Sequence, residues 1–199
     1  MLPIVVAITG ASGAPYAVRL LECLLHAERP VWLIVSRHGL RLLHTELGIA
    51  SVEMLRDRVG TAAWDRLVTL HTDSDRGAAP ASGSARTAAM VVCPCSMGTM
   101  SAIAQGSKRS IIDRAADATL RERRRLIVVP RETPYSEIHL ENMLRLTRAG
   151  AIVLPASPGF YHGATTIADL VDFVVARILD HLDVEHTLVR RWRGEAPEA

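Results

Sequence analysis

Six short apolar segments alternate with amphipathic stretches along this chain, and this alternation constrains the fold more than any other feature. Such alternation is typical of βαβ units, which build a parallel sheet with helices on both faces. The sequence predicts strands over residues 3–9, 30–36, 67–71, 89–94, 125–130 and 151–154. It predicts helices over residues 14–27, 38–48, 51–58, 99–106, 111–123, 136–148 and 166–182. We therefore expect an α/β three-layer sandwich whose ligands bind at the carboxyl ends of the strands.

The size and composition of the chain fit one α/β domain with a substantial core. The chain has 199 residues, of which 49% are hydrophobic, and a chain of this length buries enough apolar surface for a single domain. We expect one domain over residues 1–193 and a frayed tail over residues 194–199.

The net charge and the cysteines limit the binding partners and the cellular compartment that we expect. The formal net charge is only +2, so we expect no nucleic-acid partner. The three cysteines, Cys23, Cys93 and Cys95, do not make a disulfide framework, which predicts a reducing cytoplasm. The first apolar segment is too short for a membrane span and lacks a basic flank, so we expect no membrane association.

Small residues follow the first predicted strand and open the first helix. Gly10, Ala11, Ser12 and Gly13 would let backbone N–H groups approach a phosphate, which the helix N-terminus also favours. The second strand ends on Ser36 rather than on an acidic residue, which argues against binding of a dinucleotide ribose. The sequence therefore favours a mononucleotide, with a purely structural turn as the alternative.

A Cys-Pro-Cys-Ser-Met-Gly-Thr segment follows the fourth predicted strand. The spacing of Cys93 and Cys95 suits neither a dithiol redox pair nor a zinc site, so we expect buried thiols and no bound metal. Ser96 and Thr99 offer hydroxyls and helix N-terminal amides to a phosphate or a flat polar ring. Simple capping of the next helix is the alternative.

Arg131 and Glu132 follow the fifth predicted strand, and Pro134 favours an extended backbone beyond them. A cation and a carboxylate would then lie side by side where open α/β sheets bind ligands. An exposed structural ion pair is the alternative.

Basic and aromatic residues supply further candidates. Arg114 and Arg121 share one face of their predicted helix, whereas Arg123 and Arg124 are expected at a solvated helix end. Aromatic residues make up only 4% of the chain, yet two adjoin in the Pro/Gly-rich loop 155–163 after the last strand. Exposed aromatics in a loop indicate an apolar substrate or a stacking surface.

Together these motifs resemble those of the flavin prenyltransferases, the UbiX-type flavoproteins. The matching segments are residues 9–14, 93–97, 114–117, 130–134, 139–143, 155–162 and 169–177. The resemblance extends over about residues 3–182. It implies a flavodoxin-like/Rossmann-like sandwich that assembles into a homododecamer with active sites between subunits.

The resemblance implies that reduced FMN is alkylated at N5 and C6 by dimethylallyl monophosphate without a metal. The product, prenylated FMN, would serve a UbiD-type decarboxylase. Catalytic roles are implied for Glu132, Ser12 and Glu46. The implied FMN-binding residues are Gly10, Ala11, Ser12, Ser36, Ser96, Met97, Gly98, Thr99 and Arg131. The implied substrate-binding residues are Arg114, Arg121, Tyr161, Arg177 and, from a neighbouring subunit, Trp192.

The chain departs from the pattern of these enzymes at three positions. Arg121 stands where they usually carry Lys, and Gly98 and Gly163 stand where basic residues are common. These departures bear on the preferred phosphate and prenyl length more than on the reaction.

Two other functions stay open at this point. One is an FMN-dependent decarboxylase of the cysteine-peptide kind, which would need a catalytic His for which His38 is no clear match. The other is a non-catalytic module that binds or delivers FMN.

Overall fold

The computed structural model describes residues 1–190, which form one parallel sheet between two helical layers. The strands are β1 Ile4–Ile8, β2 Val31–Val35, β3 Val68–His71, β4 Ala89–Cys95, β5 Arg125–Pro130 and β6 Ile152–Val153. The helices are α1 Ala14–His26, α2 Arg37–Leu47, α3 Val52–Val59, α4 Thr61–Leu67, α5 Met97–Ala104, α6 Ile111–Arg121, α7 Glu137–Arg148 and α8 Ile167–His181. The expected tail, residues 194–199, and Trp192 lie outside the described residues.

The sheet confirms the predicted fold class. Its strand order is β3-β2-β1-β4-β5-β6, and every neighbouring pair is parallel. This is the doubly wound order of the Rossmann type. The chain leaves β1 in one direction and β4 in the other, so the crevice between their carboxyl ends is the topological switch point.

Burial on both faces explains why the strands are continuous apolar runs. Every residue of β1 and β4 is buried. Helices α1 to α4 and α8 pack on one face of the sheet, and α5, α6 and α7 pack on the other. Residues whose side chains point to opposite faces therefore belong to two separate apolar clusters.

The main differences from the sequence-based elements lie where local signals are weak. Helix α4 was not predicted: it has seven residues, and Gly60 precedes it with φ 113° and no capping side chain. Strand β6 has two residues rather than four. A 3₁₀ turn, Ala79–Ala81, lies in the long connection before β4 and packs on α6.

The run of arginines after α6 differs from its prediction in one residue. Arg123 is exposed as expected. Arg124 is half-buried rather than solvated, and its guanidinium donates to the carbonyl oxygens of Gly83 at 2.6 Å and Ala85 at 2.8 Å. The connection before β4 supplies these acceptors, which the sequence pattern of a helix end does not reveal.

The helices give no sign of a membrane span. Among residues 1–190, none of the helices has both the length and the apolar character needed to cross a bilayer.

The buried Thr9 ties together the two strand ends that form the switch point. Its hydroxyl donates to the carbonyl oxygen of Pro94 at 2.8 Å and accepts from the N–H of Ser96 at 2.8 Å. Its own N–H also donates to Pro94 at 3.2 Å. The peptide bonds Cys93–Pro94 and Thr133–Pro134, at the ends of β4 and β5, are both cis.

Replacing Thr9 with Val should destabilise the protein. The substitution keeps the side-chain volume but leaves the Ser96 N–H without its acceptor, and an unsatisfied buried donor costs about 1–3 kcal/mol. The free energy of unfolding, measured by urea titration at one protein concentration, should fall by about that amount. The matched control is Thr69→Val on the edge strand β3, where Thr69 is exposed. Equal stability of Thr9→Val and the wild type would contradict this role.

Candidate active site

The carboxyl edge of the sheet gathers the predicted FMN-binding residues from four strand ends. Ser12 lies in the loop after β1, Ser36 follows β2, Ser96 follows β4 and Arg131 follows β5. The backbone N–H of Ser36 donates to the carbonyl oxygen of Ile8 at 3.0 Å, which ties the β2 end to β1. We call this edge the rim.

The first turn of α5 is open toward the rim. Ser96 caps the helix by accepting from the Thr99 N–H at 3.2 Å, and its hydroxyl donates to Thr99 Oγ1 at 3.0 Å. The N–H groups of Met97 and Gly98 have no acceptor among residues 1–190. Gly98 is exposed, and a Cβ added there would meet nothing within 4 Å. Capping and an available anion site therefore coexist in the same turn.

The first turn of α1 already holds a carboxylate. Glu46, near the end of α2, accepts from the N–H of Gly13 at 3.0 Å and from that of Ala14 at 2.8 Å. The sequence suggested that a phosphate binds this glycine-rich turn. Instead, both amides donate to the Glu46 side chain, which lies 33 positions after Gly13 in the sequence. A negative charge at a helix N-terminus is stabilising, so Glu46 fills the position that an external anion would use.

The loop after β1 also packs tightly against the start of α2. A Cβ on Gly10 would collide with the side chain of His38, and a Cβ on Gly39 would overlap the carbonyl oxygen of Ile8. Glycine is thus required at both positions for the two loops to approach.

Arg131 and Glu132 do not form the structural ion pair that was the alternative interpretation. Among residues 1–190, no ion pair joins them, and Glu132 Oε1 accepts from the N–H of Thr133 at 3.0 Å. The Nε of Arg131 is buried without a partner, so its charge is available to a ligand at the rim.

Two predicted substrate-binding residues also lie on the rim side. Arg114 is in the first half of α6, and its Nε is buried without a partner. Tyr161 is 72% exposed, and its ring meets that of Phe173 edge-on at 5.8 Å. His162 stacks on Phe173 at 5.0 Å and meets the Tyr161 ring edge-on at 6.0 Å. Phe160 is also 72% exposed, so the expected exposed aromatic loop is confirmed.

Arg121 lies toward the opposite edge of the same chain, whereas Arg177 lies near Tyr161. Arg121 is the last residue of α6, just before β5 begins, and it pairs with Asp117 at 3.6 Å. At 1.5 Å per residue, it lies on the order of 15 Å along its helix from the rim. Arg177 lies one turn after Phe173 on α8, and Phe173 is the residue whose ring Tyr161 contacts. One chain therefore brings Arg177, but not Arg121, close to Tyr161.

The cysteines behave as buried apolar residues, as predicted. Cys93 and Cys95 are fully buried, and burial raises the pKa of both thiols, that of Cys95 to about 12. Cys23 is half-buried, and burial raises its pKa to about 11. All three are neutral thiols at neutral pH and poor nucleophiles. Among residues 1–190, no group of three or more His, Cys, Asp or Glu is arranged to hold a metal ion.

Sequence reasoning missed Thr9 and Gly39 as determinants of the site. A Thr directly after a buried strand was the available signal for Thr9, and a Gly in the first turn of a helix was the signal for Gly39. The bonds of Glu46 to α1 had no sequence signal, because its partners are distant in the chain.

A doubly wound sheet with an open helix N-terminus at its switch point defines an α/β protein that binds a phosphorylated ligand. The family model described as Flavoprotein matches residues 1–179. The flavin prenyltransferase UbiX of Pseudomonas aeruginosa is 47% identical over 196 residues, covering 95% of this chain and 93% of that protein. The chain therefore belongs to the Flavoprotein family and, within it, to the flavin prenyltransferases of the UbiX type.

Two solved structures resemble the chain over nearly its whole length. AnUbiX (PadA1), in complex with FMN and dimethylallyl pyrophosphate, is 39% identical with a TM-score of 0.90, covering 98% of this chain and 99% of that one. A dodecameric FMN-dependent UbiX-like decarboxylase from Escherichia coli O157:H7 is 39% identical with a TM-score of 0.88, covering 97% and 100%. The family resemblance found in the motifs is confirmed.

Replacing Glu46 with Gln should destabilise the protein by about 1 kcal/mol. A Gln side chain keeps one oxygen that can accept from both α1 amides, as Glu46 Oε2 does, but it lacks the favourable negative charge at the helix N-terminus. Urea titration measures the change. The control is Glu141→Gln on the exposed side of α7, which should leave stability nearly unchanged. A Glu46→Gln variant as stable as this control would show that the carboxylate does not support α1.

Proposed function

We propose that this chain is a flavin prenyltransferase that joins the dimethylallyl group of dimethylallyl monophosphate to N5 and C6 of reduced FMN. The observation that carries this proposal is the rim, where the open first turn of α5 adjoins strand ends bearing Arg131 and Glu132. The identity of 47% to a flavin prenyltransferase over nearly the full length supports the same reaction.

The described residues fit FMN as the flavin substrate. Its phosphate suits the first turn of α5, where the unpaired N–H groups of Met97 and Gly98 and the hydroxyls of Ser96 and Thr99 converge. Glu46 keeps the α1 turn filled, so α5 offers the free helix N-terminus at the switch point. The bound flavin would supply the nucleophilic N5 and C6. The remaining proposed flavin contacts are Gly10, Ala11, Ser12, Ser36 and Arg131.

Cleavage of the allyl–phosphate bond places negative charge on the departing phosphate. Cations and phenol hydroxyls directed at that phosphate lower the barrier. Arg114 and Tyr161 lie on the rim side of one chain and Arg177 lies near Tyr161, whereas Arg121 lies toward the other edge. We therefore assign Arg121 to the site of a neighbouring subunit, together with Trp192, whose ring would face the allyl cation.

Assembly into a homododecamer would bring these two edges together. Helix α7 exposes Ile138, Leu140 and Leu144 by 66%, 53% and 49%, and Ile167 at the start of α8 is 78% exposed. Exposed apolar side chains of this size suit contacts between subunits. The dodecameric state of the E. coli structure supports the same arrangement.

Ring closure on the flavin requires proton transfer, which we assign to Glu132. Its carboxylate stands at the β5 end beside the flavin contact Arg131, and it makes one hydrogen bond, to the Thr133 N–H. Ser12 is half-buried in the loop after β1 and Glu46 is held near it by Gly13. We propose that both assist this proton transfer.

The product, prenylated FMN, would be used by a UbiD-type decarboxylase. A reducing cytoplasm fits three free cysteines, two of them fully buried. Of the alternatives, the decarboxylase is not favoured, since flavin prenyltransferases match this chain over nearly its full length. A non-catalytic FMN carrier would not need the Glu132 carboxylate.

The direct test is anaerobic incubation of the protein with FMN, a reductant and dimethylallyl monophosphate, followed by mass spectrometry of the flavin. We expect the flavin to gain one five-carbon unit. Omission of the prenyl phosphate is the control, and dimethylallyl diphosphate in its place reports the phosphate preference. A flavin of unchanged mass, with FMN bound, would support the carrier instead.

Replacing Glu132 with Gln should leave FMN binding intact and slow formation of prenylated FMN roughly 10²-fold or more, the usual scale for an acid–base group. Gln keeps the hydrogen bond to Thr133 but cannot take up the proton. Single-turnover rates of flavin alkylation measure the effect. The control is Glu137→Gln in the exposed first turn of α7. A wild-type rate in Glu132→Gln would refute the catalytic assignment.

A further inference from the structure

Three polar side chains form a hydrogen-bonded network that runs from the surface of α8 into the protein. Arg177 Nη1 donates to Asp180 Oδ2 at 2.7 Å, and Asp180 Oδ1 lies 3.2 Å from His186 Nε2. Side-chain exposure falls along this network: Arg177, Asp180 and His186 are 55%, 21% and 6% exposed. The guanidinium is thus anchored to a buried imidazole through one carboxylate.

The burial of His186 distinguishes this group from an ordinary surface ion pair. An Arg and an Asp three positions apart on a helix contribute little when both move freely in water. Here the segment after α8 folds back on the protein, with Val184 buried and Leu188 packed on the same apolar cluster. That segment places the imidazole against Asp180, so His186 is a fixed partner of the carboxylate besides Arg177.

The tautomer of the imidazole follows from this contact. Asp180 is an acceptor, so His186 Nε2 must carry the hydrogen in order to donate to it. Nδ1 is buried and has no partner among residues 1–190. Asp180 is therefore the polar neighbour that orients the ring.

We propose that Asp180 and His186 are positioning residues that hold Arg177 ready for the phosphate of the prenyl substrate. This inference rests on the proposed function, because it takes Arg177 as a ligand of the substrate phosphate. His186 fixes the carboxylate, and the carboxylate limits the rotamers of the long Arg177 side chain. A guanidinium restrained in this way loses less side-chain entropy when it binds the phosphate.

The test compares steady-state kinetics of Asp180→Asn, His186→Phe and His186→Gln with Arg177→Met as the benchmark. We expect Asp180→Asn and His186→Phe to raise KM for dimethylallyl monophosphate about tenfold, the scale of one lost hydrogen bond to a charged group. The turnover number kcat and the Kd for FMN should change little. His186→Gln should keep a KM near that of the wild type, because its amide N–H can replace Nε2–H.

The matched control is Asp65→Asn. It removes an exposed ion pair with Arg56, at 2.7 and 2.5 Å between α3 and α4, without touching α8. Its KM should equal that of the wild type. Thermal melting of each variant, and its size by light scattering, separate a KM effect from loss of fold or assembly.

The outcomes are distinguishable. An unchanged KM in His186→Phe, or a lower KM in Asp180→Asn, would overturn the positioning role, since Asp180 would then only compete for Arg177. A raised KM in His186→Gln equal to that of His186→Phe would overturn the hydrogen-bond argument. An unchanged KM in Arg177→Met would overturn this inference while leaving the prenyltransferase reaction standing. Failure of the reaction itself would appear as unaltered flavin mass in the wild type.

Discussion

The geometry of the rim depends on the two hydrogen bonds made by the hydroxyl of the buried Thr9. It links the end of β1 to the end of β4, the two strands from which the chain winds in opposite directions. Because the Ser96 N–H is held by Thr9, the start of α5 is fixed relative to the loop that starts α1. A doubly wound sheet creates a crevice at this point, and one buried hydroxyl determines how its two walls meet.

Three of the helices that begin at the rim, α1, α2 and α5, differ in what their N-terminal N–H groups bind. Glu46 occupies the start of α1, the Ser36 hydroxyl accepts from Gly39 at the start of α2, and Ser96 caps α5 but leaves two N–H groups unpaired. Helix N-termini attract anions. One N-terminus is filled by a carboxylate and another is open, so the proposed site offers α5 to a single phosphate, which fits a mononucleotide rather than a dinucleotide.

The opposite edge of the sheet shows the complementary arrangement, because helices end there and present carbonyl oxygens. Arg125 donates to the carbonyl oxygen of His181 at the end of α8 and pairs with Asp183 at 2.7 Å. Cations favour helix C-termini, which accounts for Arg125. Arg121 ends α6 at this edge, so its use at a rim requires a second chain. The proposed assembly and the proposed substrate site therefore depend on one another.

The sequence by itself determined the layers, the parallel sheet and the strand-end loops where we propose that ligands bind, because periodicity and strand-end loops are local properties. It also identified the aromatic loop and the buried thiols, and the family motifs identified the reaction. Only the tertiary structure decided that Glu46 fills the α1 turn, that Glu132 accepts from the Thr133 N–H rather than pairing with Arg131, and that Asp180 joins Arg177 to His186. These contacts depend on packing and on side-chain conformation, and no sequence period encodes them.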